Sequence, residues 1–565
     1  MKSVHALFST LALSLFLFGT VSCAMDPTIK SPVVSKYKNI ASMNTSSPSS
    51  WGPLNCHDPK LFRDDDGTWY VFSTDASIGN VWGGGIQVRS SSDLKTWTCR
   101  SVSALQGYWD DELVEWCFGT GKPSSWAPTV IKKDGKYFMY HGIITDNDPV
   151  PGDANKKPRA LIGLAIADSP VGPYKPAHEY DPAAYQSSTI VRYAWEADDE
   201  IDSACLNEGN SSWDYGFGAI DPEFVFDEKG NLATDENGDW YMTYGSWKGG
   251  IALMRIDSDT GLPADSQGAA LSGPADEISG AYGIQIAGGS GSPFEGAQLL
   301  YNSVAGYYYL FASSGDLVVD YSVRVGRSAS IEGPYFDASG RSMSGVTWIK
   351  NDSHYRLAGS KILGSHKFGA SYGWRAPGGQ SILPLADGRI FFAHHARTDF
   401  LASYFFFLQV RQMWFTSDGW PVLNPNEYYD EILESVDASR VVGSWKAVAT
   451  ERSHDTGNFT TFEGSARSNV FLSDAVATAS KSLVLEEGGI VSGYWSGTWS
   501  LEGTEVVLDL VSPAESSGTF RGIVTDSVDW NRNKTLDECR TLSIAAICSA
   551  SGQSLSGEYL SAVKD

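Results

Sequence analysis

The sequence predicts an all-β protein: a five-bladed β-propeller followed by a small C-terminal β-barrel or sandwich. Three observations carry this. One hairpin recurs five times between residues 57 and 395. The chain has 58 Gly and little 3.6-residue periodicity, which argues against a helical protein. Beyond residue 441 the pattern changes to short alternating strands with turn residues at regular spacing.

The first hairpin is HDPKLFRDDDGTWYVFSTD, residues 57–75. Asp-Gly between two apolar runs marks a tight turn, because Gly supplies the positive φ that such a turn needs. The second is WAPTVIKKDGKYFMYH (126–141), and the third IDPEFVFDEKGNLATDENGDWYMTYG (220–245). The fourth is EGAQLLYNSVAGYYYLFAS (295–313), and the fifth APGGQSILPLADGRIFFAHH (376–395). Repetition of a β unit on this scale points to blades around a central axis. Asp58, Asp221 and Glu295 each stand at the start of a first strand. Innermost strands line the channel, so these three carboxylates should converge on one end of it.

The intervening chain completes the blades. GGGIQVRSSSDLKTWTC closes blade one, with Trp97 in its core. Trp126 takes the place in blade two that Asp58 holds in blade one. It is either a blade-packing aromatic or a platform for a sugar ring. Residues 144–160 form an exposed polar loop. Residues 176–218, with Trp195 and Trp213, form a long insertion that walls the cleft or merely decorates it. Ser246 and Trp247 lie in a loop of blade three, and GGSGS (288–292) allows close backbone approach before blade four. The ring ends near residue 422. The domain boundaries read from this are a propeller over 51–435 and a C-terminal β domain over 441–565.

With 565 residues, 19 Trp, 26 Tyr and 25 Phe there is material for more than one core. A formal charge of −25 disfavours nucleic acid or an anionic membrane as partner, since both require cationic patches. The N-terminus MKSVHALFSTLALSLFLFGTVSCAM has the basic start, apolar run and small residues of an export signal, residues 1–23. Cys23 follows a loose version of a bacterial lipoprotein box, with Thr20 where Leu is usual. Lipid anchoring and simple cleavage near Ala24 both remain open. Residues 24–50 form a Ser-rich tether. The expected location is therefore outside the cytoplasm, secreted or held at the cell surface. The six Cys beyond Cys23 permit three disulfides, with Cys539–Cys548 expected as a local pair and Cys99–Cys117 as a second. DWNRNKTLDE (529–538) alternates acids and amides but departs from a calcium loop at Lys534 and Arg540. It reads as a structural turn. Trp495, Trp499 and Trp530 are either sugar contacts or, as the safer reading, core of the second domain.

Three converging carboxylates suit a divalent cation or acid–base cleavage of a glycosidic bond. Cleavage needs one protonated carboxyl for the leaving oxygen and one ionised carboxylate to activate water. Neighbouring like charges raise one pKa and keep that acid protonated. Abundant Trp and Tyr suit flat sugar faces. A carbohydrate-binding propeller without turnover needs no such triad.

The motifs HDPKLF…DGTWYVFSTD, SSWAPTVIKKDGKYFMYHG, AIDPEFVF, EGAQLLY…GYYYLFASSGD and YSVRVGRSASIEGPY resemble glycoside hydrolase family 43. Within that family they are most similar to the long, two-domain endo-α-1,5-L-arabinanases. The resemblance spans roughly residues 50–565 and extends to GIVTDSVDWNRNKTL in the appended domain. It implies an inverting hydrolase of arabinan, with Asp58 as general base, Glu295 as general acid and Asp221 tuning the acid's pKa and orientation. It implies substrate contacts from His57, Trp126, Ala219, Ile220, Ser246 and Trp247. It also implies a calcium (or sodium) ion on the axis, mostly hydrated, at His395, with His394 as the alternative. A monomer acting on arabinan or arabino-oligosaccharides is expected. SSGDLVVDY lacks the Cys pair found there in many arabinanases, and the loops 144–160 and 176–218 are long. The family also contains exo-acting arabinofuranosidases and β-xylosidases, which are the rival enzymes.

Overall fold

The computed structural model describes residues 47–74, 85–106, 117, 125–144, 159–194, 217–247, 249–264, 283–289, 291–317, 320–346, 353–369, 373–398, 406–450, 452, 477–530 and 535–565. The export signal, most of the loop 144–160 and the insertion residues 195–216, including Trp195 and Trp213, lie outside them.

Five antiparallel sheets follow one another along the chain. Blade one runs Lys60–Arg63, Trp69–Ser73, Gln87–Ser91 and Thr98–Ser101. Blade two runs Ser125–Lys133, Lys136–Ile144, Arg159–Ala167 and Lys175–Pro176. The insertion contributes Thr189–Ala194 to this sheet, paired with Arg159–Ala167, so part of it is ordered strand rather than decoration. Blade three runs Glu223–Phe224, Trp240–Tyr244, Ile251–Ile256 and Ile284–Ala287. Blade four runs Phe294–Asn302, Tyr307–Ser314, Ser322–Ser328 and Ser360–Leu363. Blade five runs Trp374–Pro384, Ile390–Thr398, Phe406–Phe415 and Pro421–Leu423.

Apolar seams between neighbouring blades hold the ring. The last seam joins Leu61, Trp69, Val71 and Trp97 of blade one to Phe391, Leu408 and Val410 of blade five. The chain leading into blade one clasps the ring: the Asn55 N–H donates to the Phe406 carbonyl at 2.9 Å, and the Leu408 N–H to that of Pro53 at 2.8 Å.

The five hairpins share a backbone device. Asp58, Ala127, Asp221, Gly296 and Ala376 all have φ between 41° and 58°, and all but Gly296 precede Pro. A non-glycine residue in this left-handed region costs about 1 to 3 kcal/mol, so the surrounding fold has to enforce it. Register agrees: bulges follow Trp126, Glu295 and Arg375 at matching places in blades two, four and five. By this device the residues equivalent to Asp58 are Ala127, Asp221, Gly296 and Ala376. Trp126 does not match Asp58. It matches His57 and Glu295, so Glu295 stands one residue earlier in its repeat than the other two carboxylates.

The C-terminal domain is a closed eight-stranded barrel whose first strand, Gly443–Thr450, pairs with the last, Tyr559–Lys564. Trp445, Trp495, Trp499, Leu508, Phe520 and Ile544 fill it, so Trp495 and Trp499 are core as expected. Ile523, Ala545, Ile547 and Tyr559 face outward and share a core with Trp414, Trp420 and Leu423 of blade five. The barrel is thereby cemented to the propeller.

Two cysteine expectations fail. Cys539 and Cys548 are not joined to each other and lie at the two ends of the strand Arg540–Cys548. An extended strand of that length separates them by roughly 30 Å, far beyond disulfide reach. Cys99 and Cys117 are not joined to each other either: the Cys117 thiol donates to the Ile143 carbonyl at 3.4 Å and that of Cys99 to the Ser101 carbonyl at 3.6 Å. At the end of DWNRNKTLDE, Thr535 and Glu538 form a capping box on the helix Leu536–Cys539, while residues 531–534 of that stretch lie outside the described residues.

Candidate active site

All five blades contribute to one cleft at the end of the axis. It is lined by Asp58 and Lys60, Ala127 and Pro128, Asp221 and Glu223, Gly296 and Tyr321, and Gly379 and Gln380. The repeat thus delivers Asp58 and Asp221 to the same place, and Glu295 adjoins them.

Asp58 is held on several sides. Its Oδ2 accepts from His57 Nδ1 at 2.7 Å and from the Thr74 hydroxyl at 2.6 Å. Arg397 Nη2 donates in turn to His57 Nε2 at 3.3 Å. Burial alone would raise the Asp58 pKa. The His57 contact, the Thr74 hydroxyl and the Arg397 charge outweigh it, and the carboxyl is held below its ordinary value. Asp58 is therefore an ionised carboxylate at neutral pH.

Glu295 has the opposite balance. Burial, aided by the Asp58 charge, outweighs donors from Tyr321, Ser246 and Trp247 and pushes its pKa up to about 7. The Ser246 hydroxyl donates to Oε2 at 2.8 Å. Asp221 Oδ2 accepts the Gly296 N–H at 3.0 Å, one residue beyond the acid. Burial, then the charges of Glu295 and Asp58, raise Asp221 well above the carboxylate range.

The remaining expected residues divide. Ser246 and Trp247 serve Glu295. The His57 ring is stacked on His395 at 3.9 Å and committed to Asp58, which leaves it little edge for substrate. Ala219 and Ile220 are correctly placed in sequence but wrongly cast: their exposures are 0% and 8%, and both side chains belong to the core between blades two and three. Trp126 is half-buried, and its neighbours Ala127 and Pro128 line the cleft. Sequence reasoning missed Thr74, Tyr321, Gly379, Gln380 and Arg397. Thr74 was within view, as the end of the strand that pairs with the Asp58 segment. Tyr321 carried no local signal.

Among the described residues, His57, Asp58 and His395 are the group of three side chains close enough to share a metal ion. His394 is not a candidate: Nε2 accepts from Arg411 at 2.9 Å and Nδ1 donates to the His395 carbonyl at 2.9 Å. His395 Nδ1 accepts the Asp58 N–H at 3.2 Å, while Nε2 is buried without a partner among the described residues. Burial and the nearby cationic groups keep this ring neutral. With Nδ1 accepting, a neutral ring carries its proton on Nε2. Ligation through Nε2 would need that proton elsewhere, and a lone imidazole is a poor ligand for a hard cation, so the set suits only an ion that keeps most of its water.

An ionised carboxylate beside a carboxyl whose proton affinity is raised, at one cleft of a propeller, is the pairing that glycoside cleavage requires. The chain belongs to the glycosyl hydrolases family 43, which it matches over residues 51–190 and 215–421. Residues 425–557 match the C-terminal lipocalin-like domain that goes with that family. The chain is 29% identical over 410 residues to an extracellular endo-α-(1→5)-L-arabinanase of Thermotoga petrophila, covering 69% of this chain and 75% of that one. It is 28% identical over 416 residues to extracellular endo-α-(1→5)-L-arabinanase 2 of Bacillus subtilis, covering 70% and 76%. A solved family 43 glycoside hydrolase, the YxiA protein of Bacillus licheniformis, superposes with a TM-score of 0.67 at 25% identity, covering 90% of this chain and 98% of that one.

Proposed function

We propose that the chain is an inverting endo-hydrolase of α-1,5-L-arabinofuranosidic bonds in arabinan. The supporting observation is the split in proton affinity across one cleft, Asp58 held low and Glu295 pushed up to about 7. The relatives named as endo-arabinanases supply the substrate class.

In this reading Asp58 takes a proton from a water, which attacks the anomeric carbon. Glu295 gives its proton to the departing arabinosyl oxygen. The anomeric centre inverts, and the two carboxyls exchange their protonation states until solvent resets them. Asp221 holds the Gly296 N–H and fixes the turn carrying Glu295. Trp126 offers a half-buried ring near the cleft for a sugar face.

A hydrated calcium or sodium ion would sit beside His395, its water held by the adjoining carboxylate of Asp58. Its positive charge would stabilise the ionised state of that carboxylate. Chelation should lower the melting temperature and activity together, and calcium should restore both. No change on chelation removes the ion from the proposal. Export is the last part of the proposal, and the relatives are named extracellular. Mass spectrometry of the mature N-terminus tells lipidated Cys23 from simple cleavage near Ala24.

The deciding experiment is product analysis on linear arabinan. Mixed oligosaccharides from the start support the endo reading. Arabinose alone points to the exo-acting arabinofuranosidases of the family. Binding without cleavage points to a carbohydrate-binding propeller.

A further inference from the structure

We propose that the base works from one oxygen only: the attacking water gives its proton to Oδ1 of Asp58, and Arg397 is a positioning residue that enforces this by fixing the proton of His57. The proposal rests on the reading of Asp58 as general base and names the oxygen and the residues which that reading leaves open.

Oδ2 is already filled. The Thr74 hydroxyl lies 2.6 Å from it and His57 Nδ1 2.7 Å. Neither group has a choice of role. An ionised carboxylate only accepts, so the Thr74 hydroxyl donates, while its oxygen accepts the Ala127 N–H at 2.9 Å. His57 Nε2 lies 3.3 Å from Arg397 Nη2, and a guanidinium has donors but no acceptor. Nε2 is therefore the acceptor of that pair and holds no proton. The proton of the ring is on Nδ1, aimed at Oδ2. The ring is also kept from turning. It stacks on His395 with centroids 3.9 Å apart and meets Phe406 edge-on at 4.9 Å. Arg397 is itself 2% exposed, with its guanidinium 5.3 Å over the Phe406 ring.

Oδ1 is the opposite case. Among the described residues it meets His395 Nδ1 at 3.6 Å, and that nitrogen already accepts the Asp58 N–H, so it has no proton to offer. Gly379 borders Oδ1 with bare backbone, where a Cβ would lie 2.4 Å away. The Asp58 side chain keeps 22% of its surface exposed and lines the cleft. In the hydrolytic step an O–H bond of the water breaks and its proton goes to Oδ1, while the remaining hydroxyl bonds to the anomeric carbon. The bond to the leaving oxygen breaks, and that oxygen takes the proton of Glu295. Without Arg397 the His57 proton is free to move to Nε2. Nδ1 then turns a lone pair on Oδ2, and the carboxylate is pushed off its line.

The test is a double-variant cycle on linear arabinan with the parent, Arg397→Met, His57→Asn and the two combined. An Asn amide nitrogen stands as many bonds from the backbone as Nδ1 and always carries hydrogen, so it serves Oδ2 without help from Arg397. Arg397→Met should lower kcat about tenfold with KM nearly unchanged. His57→Asn should stay within about threefold of the parent, because the donor to the carboxylate is kept. Adding Arg397→Met to His57→Asn should then cost nothing further.

Unchanged kcat in Arg397→Met overturns the proposal. So does a loss that persists in the Asn background, since Arg397 then acts by a route other than the His57 proton. If Arg397→Met does not fold, Thr74 decides. Thr74→Val, without a donor to Oδ2, should lose about tenfold in kcat, and Thr74→Ser, which keeps it, should match the parent. Equal rates in those two overturn the one-oxygen base. A parent that cleaves no arabinan overturns the functional reading and this proposal with it, whereas any of the other failures in an active enzyme overturns this proposal alone.

Discussion

The backbone N–H of Asp58 donates to Nδ1 of His395 at 3.2 Å, joining the first and fifth blades across 337 residues of sequence. Gly379 is packed against both partners. A Cβ there would lie 2.4 Å from Asp58 Oδ1 and 2.8 Å from His395 Nδ1, at a φ of +58°. Gly379→Ala should therefore reduce kcat by a factor of about 100, since displacement of a catalytic group by about 1 Å costs that much. Stability should fall less than activity. Thermal denaturation alongside initial rates on arabinan checks it, and full activity would show that the base tolerates displacement.

The alkaline limb of activity should lie near pH 7. Glu295 must carry a proton to serve as acid, and that proton is lost as pH rises through about 7. Ser246→Ala removes a donor to Oε2, disfavours the ionised form and should move this limb upward. A downward shift would contradict the assignment of Glu295.

Below the acids, Lys60 and Glu223 form a buried ion pair, with Thr129 donating to the same Glu223 oxygen at 3.1 Å. The three residues belong to the innermost strands of blades one, three and two. Lys60→Met leaves Glu223 buried and uncompensated and should cost about 3 to 5 kcal/mol. Adding Glu223→Gln should recover much of that loss. Chemical denaturation of the single and double variants decides, and additive losses would mean that the pair is not coupled.

Glu431 lies 3% exposed in the linker between the domains, where Oε1 accepts from Asn424 at 3.0 Å and Oε2 from the Tyr429 N–H at 2.9 Å. Burial raises its pKa from 4.5 to about 7. A raised folded-state pKa gives stability that is fully present below 4.5 and is lost as pH rises through about 7. Glu431→Gln should flatten the fall in melting temperature over that window. An unaltered slope would place the titration elsewhere.

Ile547 is fully buried between barrel and propeller. Ile547→Ala should cost about 2 to 5 kcal/mol in urea unfolding, with activity per folded molecule unchanged. A large change in kcat would instead tie the barrel to catalysis.

The hairpins, the blade count and the convergence of Asp58 and Asp221 were legible in the sequence, because Asp-Gly turns and alternating aromatic strands are local chemistry and repetition maps directly onto a ring. Register was legible only in part. The one-residue offset of Trp126 could have been read from the Pro that follows Asp58, Ala127, Asp221 and Ala376, but that of Glu295, whose repeat lacks the Pro, shows only in the bulged register. The cysteine pairs failed because closeness in sequence says nothing once a strand lies between two positions. Ala219 and Ile220 adjoin Asp221 in sequence, yet both pack into the core between blades two and three, and closeness along the chain did not reveal that.

By itself the sequence determined the propeller, the barrel and the identities of the carboxylates, all of which follow from local turn chemistry repeated along the chain. Only the tertiary structure decided which carboxyl keeps its proton. That depends on burial and on Tyr321, Ser246, Thr74, His57 and Arg397, partners drawn from four blades, and a charge feels distance in space rather than along the chain.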